Sequence, residues 1–235
     1  MPKESLSQLA SRSRQDKGVL LVTGFEPFGG DTINSSQVVA QALHGQVIGD
    51  LTVVAVVLPC VFATAPEALQ QALAQWQPRL VLALGQAAGR SELSLERVAI
   101  NLMDAPIADN AGQQPNDVPI LAGGPAACFT TLPVKAMVQS MRSLGMPAGL
   151  SGSAGTFVCN QVFYCLQHQL ALAQPPVPGG FMHLPLLPEQ TAQRSGEGGS
   201  TQPLPSLALP DMVRGVRAAL MAAWEAFCRA DSEPH

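Results

Sequence analysis

The sequence predicts one α/β domain, with a largely parallel sheet and helices on both of its faces. Three observations predict it. Short apolar, β-branched runs alternate with Ala-, Gln- and Leu-rich segments of helical spacing. Several of the apolar runs end in glycine-rich sequence, as buried central strands do. The chain has 235 residues, 47% hydrophobic and 13% charged, with a net charge of −4. That length suits a single domain whose core buries roughly 70% of the unfolded surface. The same arithmetic excludes other classes. Disorder needs low hydrophobicity and high charge. A nucleic-acid partner needs a basic face, and no Lys or Arg occurs between Lys17 and Arg79. A membrane span needs ~18 apolar residues in a row. The longest such run, Leu51 to Ala65, is shorter and is broken by Pro59 and Cys60.

Taken in order, Val19 to Val22 reads as a buried strand that leads into Gly24. Asn34 to Leu43 has helical spacing, with Asn34 placed to cap it. Thr52 to Leu58 is rich in valine and reads as a second strand. Pro66 to Trp76 is a helix with proline at its entry. Leu80 to Leu84 is a third strand, and Arg97 to Leu102 a fourth. Asp104 to Ala127 is a Pro-, Gly-, Asn- and Asp-rich loop, of a length that compact domains reserve for a site. Leu132 to Leu144 is a helix stopped by Gly145, and Ala148 to Ser153 a short strand. Thr156 to Leu170 is a helix and Phe181 to Leu186 a strand. Gln190 to Ser206 reads as mobile, with a possible role as a lid over the site, and Asp211 to Arg229 as an amphipathic closing helix. We expect a disordered leader at 1–17, which lacks a secretory apolar stretch, a catalytic domain at 18–230 and a tail at 231–235. In such parallel sheets, sites lie at the carboxyl ends of the strands.

Several familiar motifs fail. Gly24 to Gly29 has the spacing that opens a phosphate loop, but Gly30 stands where lysine is required. The dinucleotide fingerprint, HExxH and CxxC are absent, and His44, His168, His183 and His235 form no metal set. We expect no cofactor and no metal. Cys60, Cys128, Cys159, Cys165 and Cys228 are an odd set without paired spacing, expected as free thiols in a reducing compartment.

One constellation remains. Gly152 to Asn160 is a small-residue turn that places Cys159 in the first turn of the next helix. There the unpaired amides and the macrodipole favour a thiolate and could hold an oxyanion. A free cysteine is otherwise a common core filler, which is the reading for the other four. A thiol nucleophile needs a base. His168 lies nine residues further along the same helix, roughly 13 Å along its axis, so His183 is preferred. Glu96, at the start of the Arg97 strand, is the candidate to orient the imidazole.

With those residues in place, the sequence resembles the pyrrolidone-carboxylate peptidases, or pyroglutamyl peptidase I. The resemblance rests on Thr23 to Gly30, Gly85 to Arg90 with Glu96 to Asn101, Ser153 to Asn160, and His183-Leu184-Pro185, in that order. Gly124 to Ala127 and Thr131 to Pro133 match the family loop. It implies a three-layer α/β/α sandwich and a cytosolic homotetrameric thiol protease that removes N-terminal pyroglutamate from peptides. It implies Cys159 as nucleophile, His183 as base and then acid, and Glu96 as its orienting group. Phe25 and Phe28 would hold the lactam, Gln86 would contribute to the pocket, and Arg90 would support the oxyanion region. Phe157 and Val158 would line the pocket. Gly152, Ser35 and Ala88 depart from the residues usual in these blocks, Ser35 standing where proline is frequent. Two other classes are set beside this one: a nucleoside phosphorylase-like enzyme, and a non-catalytic relative that binds pyroglutamyl peptides.

Overall fold

The computed structural model describes residues 18–194 and 204–232. Its elements are β1 (Val19–Phe25), α1 (Ser35–Leu43), β2 (Val47–Ile48), β3 (Leu51–Leu58), α2 (Ala65–Trp76), β4 (Leu80–Gln86), β5 (Leu93–Glu96) and β6 (Val98–Ile100). They continue as β7 (Ala127–Phe129), α3 (Val134–Ser143), β8 (Ala148–Ser151), α4 (Val158–Leu172), β9 (Gly179–Leu184), α5 (Pro188–Arg194) and α6 (Leu209–Ser232). Seven strands form one sheet in the order β2-β3-β1-β4-β9-β5-β8, and β6 and β7 form a separate ribbon. β3, β1, β4 and β9 run parallel. β2 lies antiparallel on β3, and β5 runs antiparallel to β9, with β8 parallel to β5. The architecture is the expected α/β sandwich around a mostly parallel sheet.

Alternation along each strand sorts the core into two layers. Leu20 and Val22 of β1, Leu80, Leu82 and Leu84 of β4, and Met182 and Leu184 of β9 face α1, α3 and α6. Leu21 and Phe25, Val81 and Ala83, and Phe181 face α2 and α4 on the other side. Burying each such leucine stabilises the fold by about 1.5–3 kcal/mol. The floor of the site therefore rests on the two apolar layers of the sheet rather than on its loops. Asn34 does cap α1: its Oδ1 accepts from the Ser36 amide at 3.0 Å.

Two expectations are corrected, and a third holds but for its last residue. The fourth strand was placed at Arg97 to Leu102. The sheet instead takes Leu93–Glu96, and Val98–Ile100 leaves it to pair with Ala127–Phe129. The chain turns at Arg97, whose amide donates to Ser151 O while its carbonyl accepts from the Thr130 amide. The Asp104–Ala127 loop is irregular only up to β7. The Gln190–Ser206 stretch, expected to be mobile, instead begins inside helix α5, where Gln190 is buried. Residues 195–203, the leader at 1–17 and the last three residues lie outside those described. Among the described residues, no helix is long and apolar enough to cross a membrane.

Candidate active site

The antiparallel pairing of β5 with β9 builds the polar centre. Ser94 pairs with His183 and Glu96 with Phe181, so Glu96 and His183 are diagonal neighbours, within reach of long side chains. Leu93, Leu95, Met182 and Leu184 take the opposite layer. Glu96 and His183 therefore point towards α4. Both are buried. Glu96 Oε1 accepts from His183 Nδ1 at 2.7 Å and from Arg90 Nη2 at 3.0 Å. A carboxylate can only accept, so Nδ1 carries the hydrogen and Nε2 keeps its lone pair. The same Arg90 nitrogen donates to Ser153 O at 3.2 Å, which ties the turn before α4 to the carboxylate. Burial pushes the His183 pKa below its usual value, while the Glu96 carboxylate partly opposes this.

Cys159 occupies the first turn of α4, after Gly155 at φ +77° and Phe157 at the N-cap. A Cβ built on Gly85 would lie 2.9 Å from the Cys159 Sγ. Gly85 is the residue that pairs with His183 across β4 and β9. Sheet register thus brings the thiol over the imidazole strand. Asn160 locks the helix start in place: its side chain accepts from Ile100 N and donates to Ile100 O and Leu102 O. The helix start favours a thiolate, but burial acts against it. Burial raises the Cys159 pKa well above the ordinary thiol value, and the Cys60 thiol and Glu96 raise it further; Arg90 and a backbone hydrogen bond oppose them only in part. The helix terminus is outweighed because desolvation acts on the whole charge.

Of the expected pocket residues, Phe28 and Phe157 are part-exposed and lie with ring centroids 5.8 Å apart. Phe25 and Val158 are buried in the core layer behind them. Phe62, which the sequence reading passed over, meets Phe157 edge-on at 5.2 Å. Its amide donates to Asp109 Oδ2 at 2.8 Å, so the long loop fixes this ring. Its position just beyond the carboxyl end of β3 was the available signal. Gln86 is buried at the end of β4.

The profile of the family described as pyroglutamyl peptidase matches residues 18–226. The chain belongs to the pyroglutamyl peptidase family. It is 53% identical to a pyrrolidone-carboxylate peptidase of Cupriavidus taiwanensis, over 87% of this chain and 92% of that one. A namesake from Pectobacterium carotovorum is 52% identical over 83% and 91% of the two chains. Among solved structures, pyroglutamyl peptidase I of Bacillus amyloliquefaciens superposes with a TM-score of 0.81 at 40% identity, over 88% and 96% of the chains. A mutant pyrrolidone carboxyl peptidase of Pyrococcus furiosus gives 0.85 at 41%, over 88% and 99%.

In this pyroglutamyl peptidase family member, Cys60, Cys128, Cys159 and Cys165 are free thiols. No group of described residues is arranged to hold a metal ion. Gly85 is required by close approach rather than by backbone conformation. An added methyl group would meet Phe181 at 2.8 Å as well as the thiol. Gly85→Ala is expected to lower kcat/KM at least tenfold, because overpacking here costs about 1–3 kcal/mol and falls on the Cys159 thiol. Steady-state kinetics beside a circular dichroism spectrum checks this; wild-type activity would mean that the thiol tolerates displacement.

Proposed function

We propose that the chain removes the N-terminal pyroglutamyl residue of peptides by acyl transfer. Cys159 is the nucleophile, His183 the base and then the acid, and Glu96 the group that orients the imidazole. One observation carries the reading: a fully buried carboxylate bonds at 2.7 Å to His183 Nδ1, on the sheet face packed by the helix that bears Cys159. As the Sγ attacks the pyroglutamyl carbonyl, its proton passes to His183 Nε2. The imidazolium then protonates the leaving amine, and a thioester remains. Water attacks the thioester, with Nε2 again taking a proton, and pyroglutamate leaves as the thiol is restored. The amides that open α4 supply donors for the oxyanion. This chemistry needs neither metal nor cofactor.

Pyroglutamate is a flat, uncharged lactam. Phe28 and Phe157 suit it as apolar walls, with Phe25 and Val158 backing them, and Gln86, at the end of β4, contributes to the pocket by the family resemblance. Arg90 supports the oxyanion region indirectly, through Ser153 O and Glu96. The catalytic unit is taken as residues 18–230, acting in the cytoplasm as a homo-oligomer, a tetramer by the family resemblance. The test is a fluorogenic pyroglutamyl amide run beside prolyl and alanyl amides. A lactam-binding site should prefer the first by about 10³-fold or more. Equal hydrolysis of all three, or of none, overturns the proposal.

A further inference from the structure

Asp109 is a buried carboxylate that takes no part in the mechanism above. It sits in the long loop between β6 and β7. Its Oδ1 accepts from the Ala111 amide at 2.9 Å and from the Gln113 amide at 2.8 Å. Those bonds, with the Asp109 amide on Gln113 O at 2.9 Å, close a turn of the loop on itself. Its Oδ2 leaves the turn and accepts from the Phe62 amide at 2.8 Å. Asn110 reaches two further segments. Its amide donates to Cys60 O at 3.1 Å. Its Nδ2 donates to Glu26 Oε1 and to Pro27 O, both at 2.9 Å. Glu26 Oε1 also accepts from the Cys60 amide at 3.1 Å.

β1 and β3 pair in parallel up to Phe25 and Leu58, so their exits lie side by side at the carboxyl end of the sheet. Asp109 and Asn110 fasten both exits to one turn. Each exit carries a ring: Phe28 follows Pro27 directly, and Phe62 stands two positions after Cys60. Phe157 touches both, with Phe28 at 5.8 Å and Phe62 edge-on at 5.2 Å. These three rings pack in the same layer as Cys159, the one that faces α2 and α4. Ring centroids 5.8 Å apart are in contact, so a lactam lies against Phe28 and Phe157 and not between them. The angle between those walls is then set by what holds each ring from behind. For Phe28 that is the Pro27 carbonyl on Asn110. For Phe157 it is Phe62, held by Asp109.

We infer that Asp109 and Asn110 are positioning residues that set the shape of the aromatic wall, and with it the ring size the site accepts. This rests on the reading of Phe28 and Phe157 as substrate walls. A carboxylate accepts at both oxygens, whereas an amide accepts at one and presents N–H groups at the other. In Asp109→Asn the oxygen stays where the Ala111 and Gln113 amides meet it, and the NH₂ falls opposite the Phe62 N–H. The substitution therefore breaks the bond to Phe62 and spares the turn. A six-membered lactam differs from pyroglutamate by one methylene, which a fixed apolar pocket discriminates by about 10–200-fold. Rings freed from behind give way to it.

The experiment uses the full chain and two probes. One is a fluorogenic pyroglutamyl amide; the other is the amide of its six-membered lactam homologue, read as an inhibitor. Asp109→Asn is expected to raise KM about fivefold while kcat changes less than about threefold. The ratio of the homologue's inhibition constant to KM should fall at least about threefold. A fold merely weakened leaves that ratio where it was. Alkylation of Cys159 by iodoacetamide should keep its rate, since the thiol and its base are untouched. Asn110→Ala, at an exposed residue, should raise KM about threefold and carries the test if Asp109→Asn does not fold. In a background of Phe62→Leu, which removes the ring and keeps an apolar side chain, Asp109→Asn should change KM less than about twofold, because its action passes through that ring. Gln114→Ala deletes a hydrogen bond within the same loop, to Ala105 O at 3.0 Å. It is the control and should leave both KM and the ratio unchanged. An unchanged ratio in Asp109→Asn and in Asn110→Ala, or the same KM factor for Asp109→Asn with and without the Phe62 ring, overturns the inference. An unchanged KM in Phe28→Ala and in Phe157→Ala overturns the reading of those rings as substrate walls, so the two failures are told apart.

Discussion

Replacing Cys159 with alanine is expected to abolish hydrolysis of a pyroglutamyl amide, by about 10⁵-fold or more. A covalent route has no substitute for its nucleophile. Cys60, which influences Cys159 electrostatically, is itself buried with its pKa pushed up to about 12 by that burial and by Glu26 and Asp109. It has neither an exposed thiol nor an imidazole to activate it. The fold should survive. Alanine keeps the backbone of α4, and the side chains of Val158, Val162, Phe163 and Leu166 hold the helix on the sheet. The melting temperature should therefore stay within a few degrees of the parent. The raised pKa of Cys159 adds a second readout on the parent protein. Its proton must leave during attack, because the thiolate is not stored beforehand. The rate of alkylation by iodoacetamide should rise with pH and show no plateau below about pH 8, where an ordinary thiol begins to ionise. Residual turnover above about a hundredth of the parent would place the nucleophile elsewhere.

Glu96→Gln is expected to lower kcat by about 10²–10⁴-fold with little change in KM. The carboxylate only accepts, which keeps the hydrogen on Nδ1 and the lone pair on Nε2. Glutamine can turn its NH₂ towards Nδ1, which moves the ring hydrogen to Nε2 and removes the base. It also loses the charge that stabilises the imidazolium and that pairs with Arg90 at 3.0 Å. The pH dependence has a definite sign. Burial lowers the His183 pKa, and Glu96 raises it part of the way back. Without the carboxylate the imidazole is harder to protonate, so the acid limb of kcat/KM should move to lower pH. In the parent, that limb lies below about pH 6.5, the ordinary histidine value. The stability linked to neutral His183 is present above that pH and is lost as pH falls through the lowered native pKa. A pH–rate profile on both proteins decides the matter. An unchanged limb and an unchanged kcat would remove Glu96 from the mechanism.

Much of this molecule was legible in the amino-acid order, for reasons that can be stated. Val19 to Val22 and Leu80 to Leu84 are uninterrupted apolar runs, and a strand buried on both faces leaves that trace. Asn34 was readable as a cap because capping is local chemistry. Leu93–Glu96 was not readable as a sheet strand. Its inward positions on one face are Ser94 and Glu96, so the strand looks polar where it is most buried. The strand Ala127–Phe129 is only three residues long and part-exposed, so it leaves no alternating pattern to read. Cys159 and His183 emerged from spacing and elimination, and Glu96 from its place at the start of an apolar strand. The contacts of Gln190 with Asp31 and Gln86 join positions 159 and 104 residues apart, and no local pattern reports such a bond. The direction of the thiol pKa depends on how much protein surrounds it, which a helix-terminus argument alone does not contain.

The reversed direction of β5 has a consequence in time as well as in space. β5 is made early, but its neighbours in the sheet are β9 and β8, both synthesised later. Glu96 therefore has no imidazole to hold until residue 183 has emerged and β9 has taken its place between β4 and β5. A nascent or truncated chain ending before that strand carries its nucleophile helix and its carboxylate, yet cannot join them. On the proposed mechanism the chain is therefore inert until β9 is in place, and the appearance of activity marks the closing of its sheet.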